Sequence, residues 1–239
     1  MTKQLLYYEK IVPVSTERHS GWSVQQGGDY SFSAEANAAP LICPEFAAAA
    51  VDLPIVFGKT ASGFSPMVVL GIEENRSILV DSKGNWQGNY IPAFVRRYPF
   101  VFATDAEQSK FTLCLDEAFK GCDEKGKKGE RLYTDDGEPG EILNKALEFG
   151  KSYEIEARRT NEFCKLLEEA DLLDPMQVGM TTPDGERRAV TGFHAVSREK
   201  LKALEGEQLA DFFRRDALEL IYYHLASLRN MEKLRKLME

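Results

Sequence analysis

Histidine and cysteine are scarce in this chain, and neither is spaced for chemistry. The three histidines, His19, His194 and His224, stand in separate segments outside any H-x-H, H-x-D or H-E-x-x-H pattern, so no local metal chelate is written into the sequence. The four cysteines, Cys43, Cys114, Cys122 and Cys164, are far apart with no C-x-x-C pair, the pattern of reduced structural thiols. No metal and no cofactor is expected. A G-x-S-x-G nucleophile elbow and a G-x-x-x-x-G-K-[ST] phosphate loop are both missing. Ser197-Arg-Glu-Lys200 matches S-x-x-K, but no K-T-G or S-D-N accompanies it. Ser197 stands instead where a helix begins, a position where serine accepts free backbone N–H groups.

Long apolar runs are also lacking. Pro66–Ile72 and Phe46–Val51 fall well short of the ~18 residues a membrane helix needs. Glu9 and Lys10 cut short the N-terminal apolar stretch that a signal peptide requires. A cytoplasmic protein without a membrane span is the expectation. Positive charge is in deficit as well: a net charge of −8 argues against general nucleic-acid binding, which rests on a basic surface.

What remains is ordinary globular material, 239 residues with 43% hydrophobic and 28% charged side chains. The pattern predicts one α+β domain over residues 1–239, with a natural subdivision near residue 138. Strand-like segments fill the first part: Leu5–Tyr8, Ile11–Val14, Pro54–Phe57, Met67–Ile72, Ser77–Asp81, Phe100–Ala103 and Lys110–Leu115. They suggest a mainly antiparallel sheet, interrupted by a short helix over Cys43–Val51. Gly121–Gly140, charged and glycine-rich, reads as a long mobile surface loop.

The second part is richer in helix. A long helix should run from Pro139 to about Asp171, burying Leu143, Leu147, Gly150, Tyr153, Ala157, Cys164 and Leu167. Pro183-Asp-Gly-Glu186 between Met176–Thr182 and Arg187–Val196 signals a β-hairpin. Helices over Ser197–Leu204 and Glu207–Met238 close the chain, the latter broken near Arg215. Leu218, Ile221, Tyr222, Leu225 and Leu228 form its predicted apolar face.

One segment stands out for binding. Tyr90, Phe94, Tyr98 and Phe100 are interleaved with Arg96 and Arg97, and Pro92 and Pro99 brace a short helix between them. Arginine presents a planar fork for carboxylate or phosphate, and aromatic rings supply rigid contact area. Arg18, His19 and Trp22 form a second concentration of the same kind, and Arg131 is grouped with them. The competing reading puts the aromatics in the core and pairs the arginines with the protein's own carboxylates. An enzyme site assembled from the distant residues His19, His194, Asp135 and Arg97 is the alternative function.

Several strings resemble the bacterial SapC family. They are Tyr8-Glu-Lys-Ile-Val-Pro-Val14 with Arg18-His19 and Trp22, and Tyr90-Ile-Pro-Ala-Phe-Val-Arg-Arg-Tyr-Pro-Phe100. Gly129–Tyr133, Leu173–Met176, Thr191–Phe193, and Glu219–Tyr222 with Leu228–Asn230 extend the likeness over nearly the whole chain. The family's name is associated with bacterial surface-layer proteins, which makes a surface-layer component a third reading. The resemblance implies no particular reaction, cofactor or catalytic residue. A peptide-transporter permease carries the same name but spans the membrane, which this chain is not built to do. Together these observations predict a non-enzymatic binding or accessory protein that recognises a protein or a small anionic ligand through the arginine–aromatic segment.

Overall fold

The computed structural model describes residues 6–104, 111–181 and 187–236. Strand β1 (Ile11–Pro13), a single helical turn α1 (Thr16–His19), β2 (Ser23–Val24) and β3 (Ala38–Pro40) come first, followed by the short helix α2 (Phe46–Ala49). The longer strands β4 (Ile55–Thr60) and β5 (Gly63–Val69) form a hairpin, and α3 (Ala93–Arg96) leads into β6 (Phe100–Thr104) and β7 (Phe111–Asp116). Two short strands, β8 (Cys122–Asp123) and β9 (Glu130–Arg131), precede the 29-residue helix α4 (Glu141–Glu169). Then come the hairpin β10 (Leu173–Thr181) and β11 (Arg187–Val196), and the helices α5 (Arg198–Lys202), α6 (Gly206–Arg214), α7 (Ala217–Ser227) and α8 (Asn230–Lys236). The fold is α+β, with antiparallel sheets and most of the helix in the C-terminal half.

The strands form three sheets. A five-stranded sheet runs β10-β11-β4-β5-β3, and two three-stranded sheets run β1-β7-β6 and β8-β2-β9. Pro175 lies in β10, an edge strand, the part of a sheet where proline is tolerated. Helix α4 packs on β5 and also against β6 and β9, so it spans two hydrophobic clusters. The larger cluster includes Phe46, Phe57, Leu70, Phe163, Leu167, Phe212 and Ile221, all of them buried. The smaller gathers Phe100, Leu113, Leu115, Leu132, Ile142 and Leu143.

The C-terminal helices are fastened to β4, to the end of β11 and to the end of α2 by polar side chains. The fully buried His224 lies with Nδ1 2.8 Å from the Ile55 carbonyl oxygen, and its Nε2 accepts the Val196 N–H at 3.0 Å. This fixes the neutral Nδ1–H tautomer, and burial holds the imidazole pKa down at about 4. The Ser227 hydroxyl accepts the Ile55 N–H at 2.8 Å, and the Asn230 amide donates to the Ala50 carbonyl at 2.8 Å.

The structure departs from the sequence reading at several points. Gly121–Gly140 is built into the fold: β8 and β9 both pair with β2, and Leu132 is fully buried. Its glycines allow this, because Gly126 and Gly129 take positive φ (62° and 82°), and the Asp123 carboxylate accepts the N–H groups of Lys125, Lys127 and Lys128. Ser77–Asp81 contributes only an isolated bridge between Val80 and Trp86, and Leu6–Tyr8 form no strand. Tyr222 is 58% exposed because the inward face of α7 carries His224 and Ser227 beside Ile221 and Leu225. The long C-terminal helix breaks at Asp216, which takes φ 56°, and again before Asn230. Ser197 makes no side-chain cap hydrogen bond, and Lys200 pairs with Asp171 and Asp174 at 2.9 and 2.8 Å. Leu5, Lys110, Pro183–Glu186 and Met238 lie outside the described residues.

Candidate functional site

Pro92 and Pro99 bracket α3 as expected, and a buried carboxylate sets its position. Glu45, 4% exposed, accepts the Ala93 N–H at 2.6 Å, the Tyr90 hydroxyl at 2.7 Å and the Ile42 N–H at 3.0 Å. The amide left free at the start of the turn is thereby satisfied. With that end fixed, Arg96 and Arg97 leave its last turn in defined directions.

Arg97 is enclosed by rings. Its guanidinium carbon lies 4.1 Å from the Phe94 centroid, 4.9 Å from Tyr153 of α4 and 6.0 Å from Tyr8. Such contacts favour the cation when it is drawn out of water. Its Nε is buried without a hydrogen-bond partner, and no carboxylate among the described residues pairs with it. Arg96 is exposed, donates from Nε to the Ile91 carbonyl at 2.9 Å, and lies 5.6 Å from the Phe149 ring.

Both arginines line a pocket of about 190 Å³ between the end of α3, the β6–β7 pair and α4. Phe100, Val101, Phe102, Leu113, Ile142, Ala146 and Phe149 give it apolar walls. Gln26, Glu130, Lys145, Tyr153 and Glu154 complete the lining, and Lys145 pairs with Glu141 at 2.6 Å. Gly150 allows the Phe102 ring to lie against α4, since a Cβ there would meet that ring at 2.4 Å. Burial pushes the phenols of Tyr8 and Tyr153 up to about 12, with the Arg97 charge pulling the other way, so both are neutral donors near pH 7. Of the two, Tyr153 lines the pocket.

The other predicted residues lie elsewhere. Tyr90 and Phe94 pack beside the arginines, but Tyr98 lines a separate pocket with Tyr7, Phe32 and Phe119 and donates its hydroxyl to Asp116 at 3.2 Å. Arg18 is engaged internally: it forms a two-pronged pair with Glu117, whose side chain is 2% exposed and also receives Lys10 at 2.7 Å. The Arg18 hydrogen bonds hold the Glu117 carboxyl down at about 2. His19 is fully buried, accepts the Ser15 N–H at 3.2 Å, and stacks edge-on with Trp22. Its Nε2 lies 3.3 Å from Glu117 but off the hydrogen-bond direction, and burial lowers its pKa. Arg131 donates to the Ser20 carbonyl at 3.1 Å and approaches Asp135 at 3.6 Å. For this second cluster the bland reading of the sequence, arginine matched to the protein's own carboxylate, describes the geometry.

His19, His194, Asp135 and Arg97 do not meet. Arg97 lines the pocket above, Asp135 a shallow one beside Tyr133, and His194 stacks on Phe64 of the five-stranded sheet. Burial raises the thiol pKa of all four free cysteines, to about 11 for Cys43 and about 12 for Cys122 and Cys164. No group of histidine, cysteine and carboxylate fit to hold a metal ion occurs among the described residues. None of their helices is long and apolar enough to cross a membrane.

The SapC family model matches residues 14–234, a span that includes α3, β6, β7 and α4 and thus the whole pocket. The chain belongs to the SapC family. No curated protein and no solved structure matches it. In this SapC-family chain the wall residues Lys145, Phe149 and Glu154 were not singled out by sequence reasoning, and Tyr153 was placed only on the buried stripe of α4. The only signal was the Tyr153–Gly150 stripe of α4, which the helical period marks as inward-facing without saying that a pocket lies beneath.

Proposed function

We propose that this SapC-family protein is a non-enzymatic binding protein that holds a small anionic ligand in the pocket lined by Arg96 and Arg97. One observation carries the reading: Arg97 is a caged cation with an orphaned buried Nε at the wall of a concave pocket. A guanidinium partly withdrawn from water and left without a carboxylate partner would gain from an arriving anion. The concavity favours a small molecule over the flat face of a protein partner. In this reading the protein works in the cytoplasm, and its four free cysteines suit a reducing compartment.

Calorimetric titration with acetate and with inorganic phosphate tests the proposal. Saturable binding should be lost in Arg97→Gln, provided that variant melts within a few degrees of the parent. Equal binding by parent and Arg97→Gln would overturn it.

A further inference from the structure

Resting on the anion-binding reading above, we infer that the ligand is a compact amphipathic monoanion, a single carboxylate carried on an apolar body about the size of a benzene ring.

Charge sets the first limit. Arg96, Arg97 and Lys145 face Glu130 and Glu154 around the pocket, and Lys145 is already engaged by Glu141, which leaves two guanidinia against two carboxylates. Polyanions such as nucleotides would meet the two carboxylates without enough cations to offset them. A planar carboxylate matches the guanidinium fork and can take two parallel hydrogen bonds from it.

The walls set the second. Val101, Phe102 and Leu113 come from β6 and β7, and Ile142, Ala146 and Phe149 from α4. This lining gives nothing to a bare oxyanion such as phosphate but would shelter a hydrocarbon body.

Size sets the third. The pocket holds about 190 Å³, and an apolar cavity of about 150 Å³ is enough to admit benzene. One ring, or a chain of about six carbons, fits beside the carboxylate.

The test titrates the wild-type protein with acetate, butyrate, hexanoate, phenylacetate, neutral phenylacetamide and inorganic phosphate. Affinity should rise roughly fourfold per methylene until the pocket is full, as burial of apolar surface predicts. Phenylacetate should exceed both acetate and phenylacetamide by at least tenfold. Ala146→Leu, which adds three carbons to the apolar wall, should abolish the gain from the tail. The chain-length series needs no variant, so it decides the question even if Ala146→Leu folds poorly. Arg97-dependent binding of acetate, phenylacetate and phosphate with equal affinity would overturn this inference and leave the anion site standing. If none of these anions binds in an Arg97-dependent way, the anion site falls and takes this inference with it.

Discussion

The guanidinium carbon of Arg97 lies 4.1 Å from the centroid of Phe94, three residues earlier in the same short helical turn. Tyr153 closes over the cation from α4 at 4.9 Å. This sandwich forms only if α3 starts where it does, and the Glu45 carboxylate sets that start through the Ala93 N–H and the Tyr90 hydroxyl. An ion that would be costly to expose to hydrocarbon is thus held by rings at a fixed place in the pocket wall.

Glu45→Gln should therefore weaken the fold and the site together. The amide nitrogen cannot accept a hydrogen bond, so either Ile42 or the Ala93–Tyr90 pair loses its acceptor. A loss of roughly 1–3 kcal/mol in urea unfolding is predicted, with weaker acetate binding under conditions where the variant is still folded. Unchanged stability would show that Glu45 does not position α3.

His224 makes stability depend on pH in a definite sense. Its folded pKa is about 4, below the ordinary 6.5, so between those values the unfolded chain holds more protons. Stability is complete above pH 6.5 and declines as pH falls toward 4, by roughly 3 kcal/mol from this residue alone. The buried His19 acts in the same sense. Urea midpoints measured across that window should show the slope, and His224→Gln should flatten it. An equally steep slope in the variant would remove His224 as its source.

Glu117 acts in a lower window. Its folded pKa of about 2 lies below the usual 4.5, so its contribution is present above 4.5 and disappears as pH falls through 2. Carboxyl NMR should find that low midpoint, and Arg18→Gln should move it upward. A midpoint that stays put would contradict the pairing seen in the structure.

Gly129 tests whether the Gly121–Gly140 segment is truly part of the fold. Its φ is +82°, and a Cβ would sit 2.4 to 2.6 Å from the Val24 carbonyl and the Gln25 nitrogen. Gly129→Ala should cost roughly 3 kcal/mol or more, from left-handed strain and from separating β2 and β9. A mobile loop would tolerate the change with a shift within about 0.5 kcal/mol.

Some of this architecture was legible in the sequence, and the exceptions have physical causes. Pro92 and Pro99 restrict their neighbours' backbone angles locally, so α3 could be read from them. The 3.6-residue period placed α4 and part of its buried face, although Thr160 and Phe163 escaped notice. The pairing of β2 with β8 and β9 left no such mark, since two-residue strands have no period and depend on partners far along the chain. Tyr222 was misassigned because hydropathy ranks it above His224, while the inward positions of α7 go to the groups that can bond strand carbonyls and amides. For the second arginine cluster the sequence left both readings open for a related reason: Arg18 and Glu117 are 99 residues apart, and only the folded chain shows their pairing.

The most direct test of the central claim observes the Arg97 side chain itself. The Nε–H resonance of Arg97, assigned by its loss in Arg97→Lys, should shift progressively and saturate as phenylacetate is added, with the Gly150 amide moving in step. The account predicts that pattern at Arg97 and none at Arg18, whose guanidinium Glu117 already occupies. Phenylacetate that leaves the Arg97 signal unmoved, or shifts Arg18 and Arg97 alike without saturation, would contradict it.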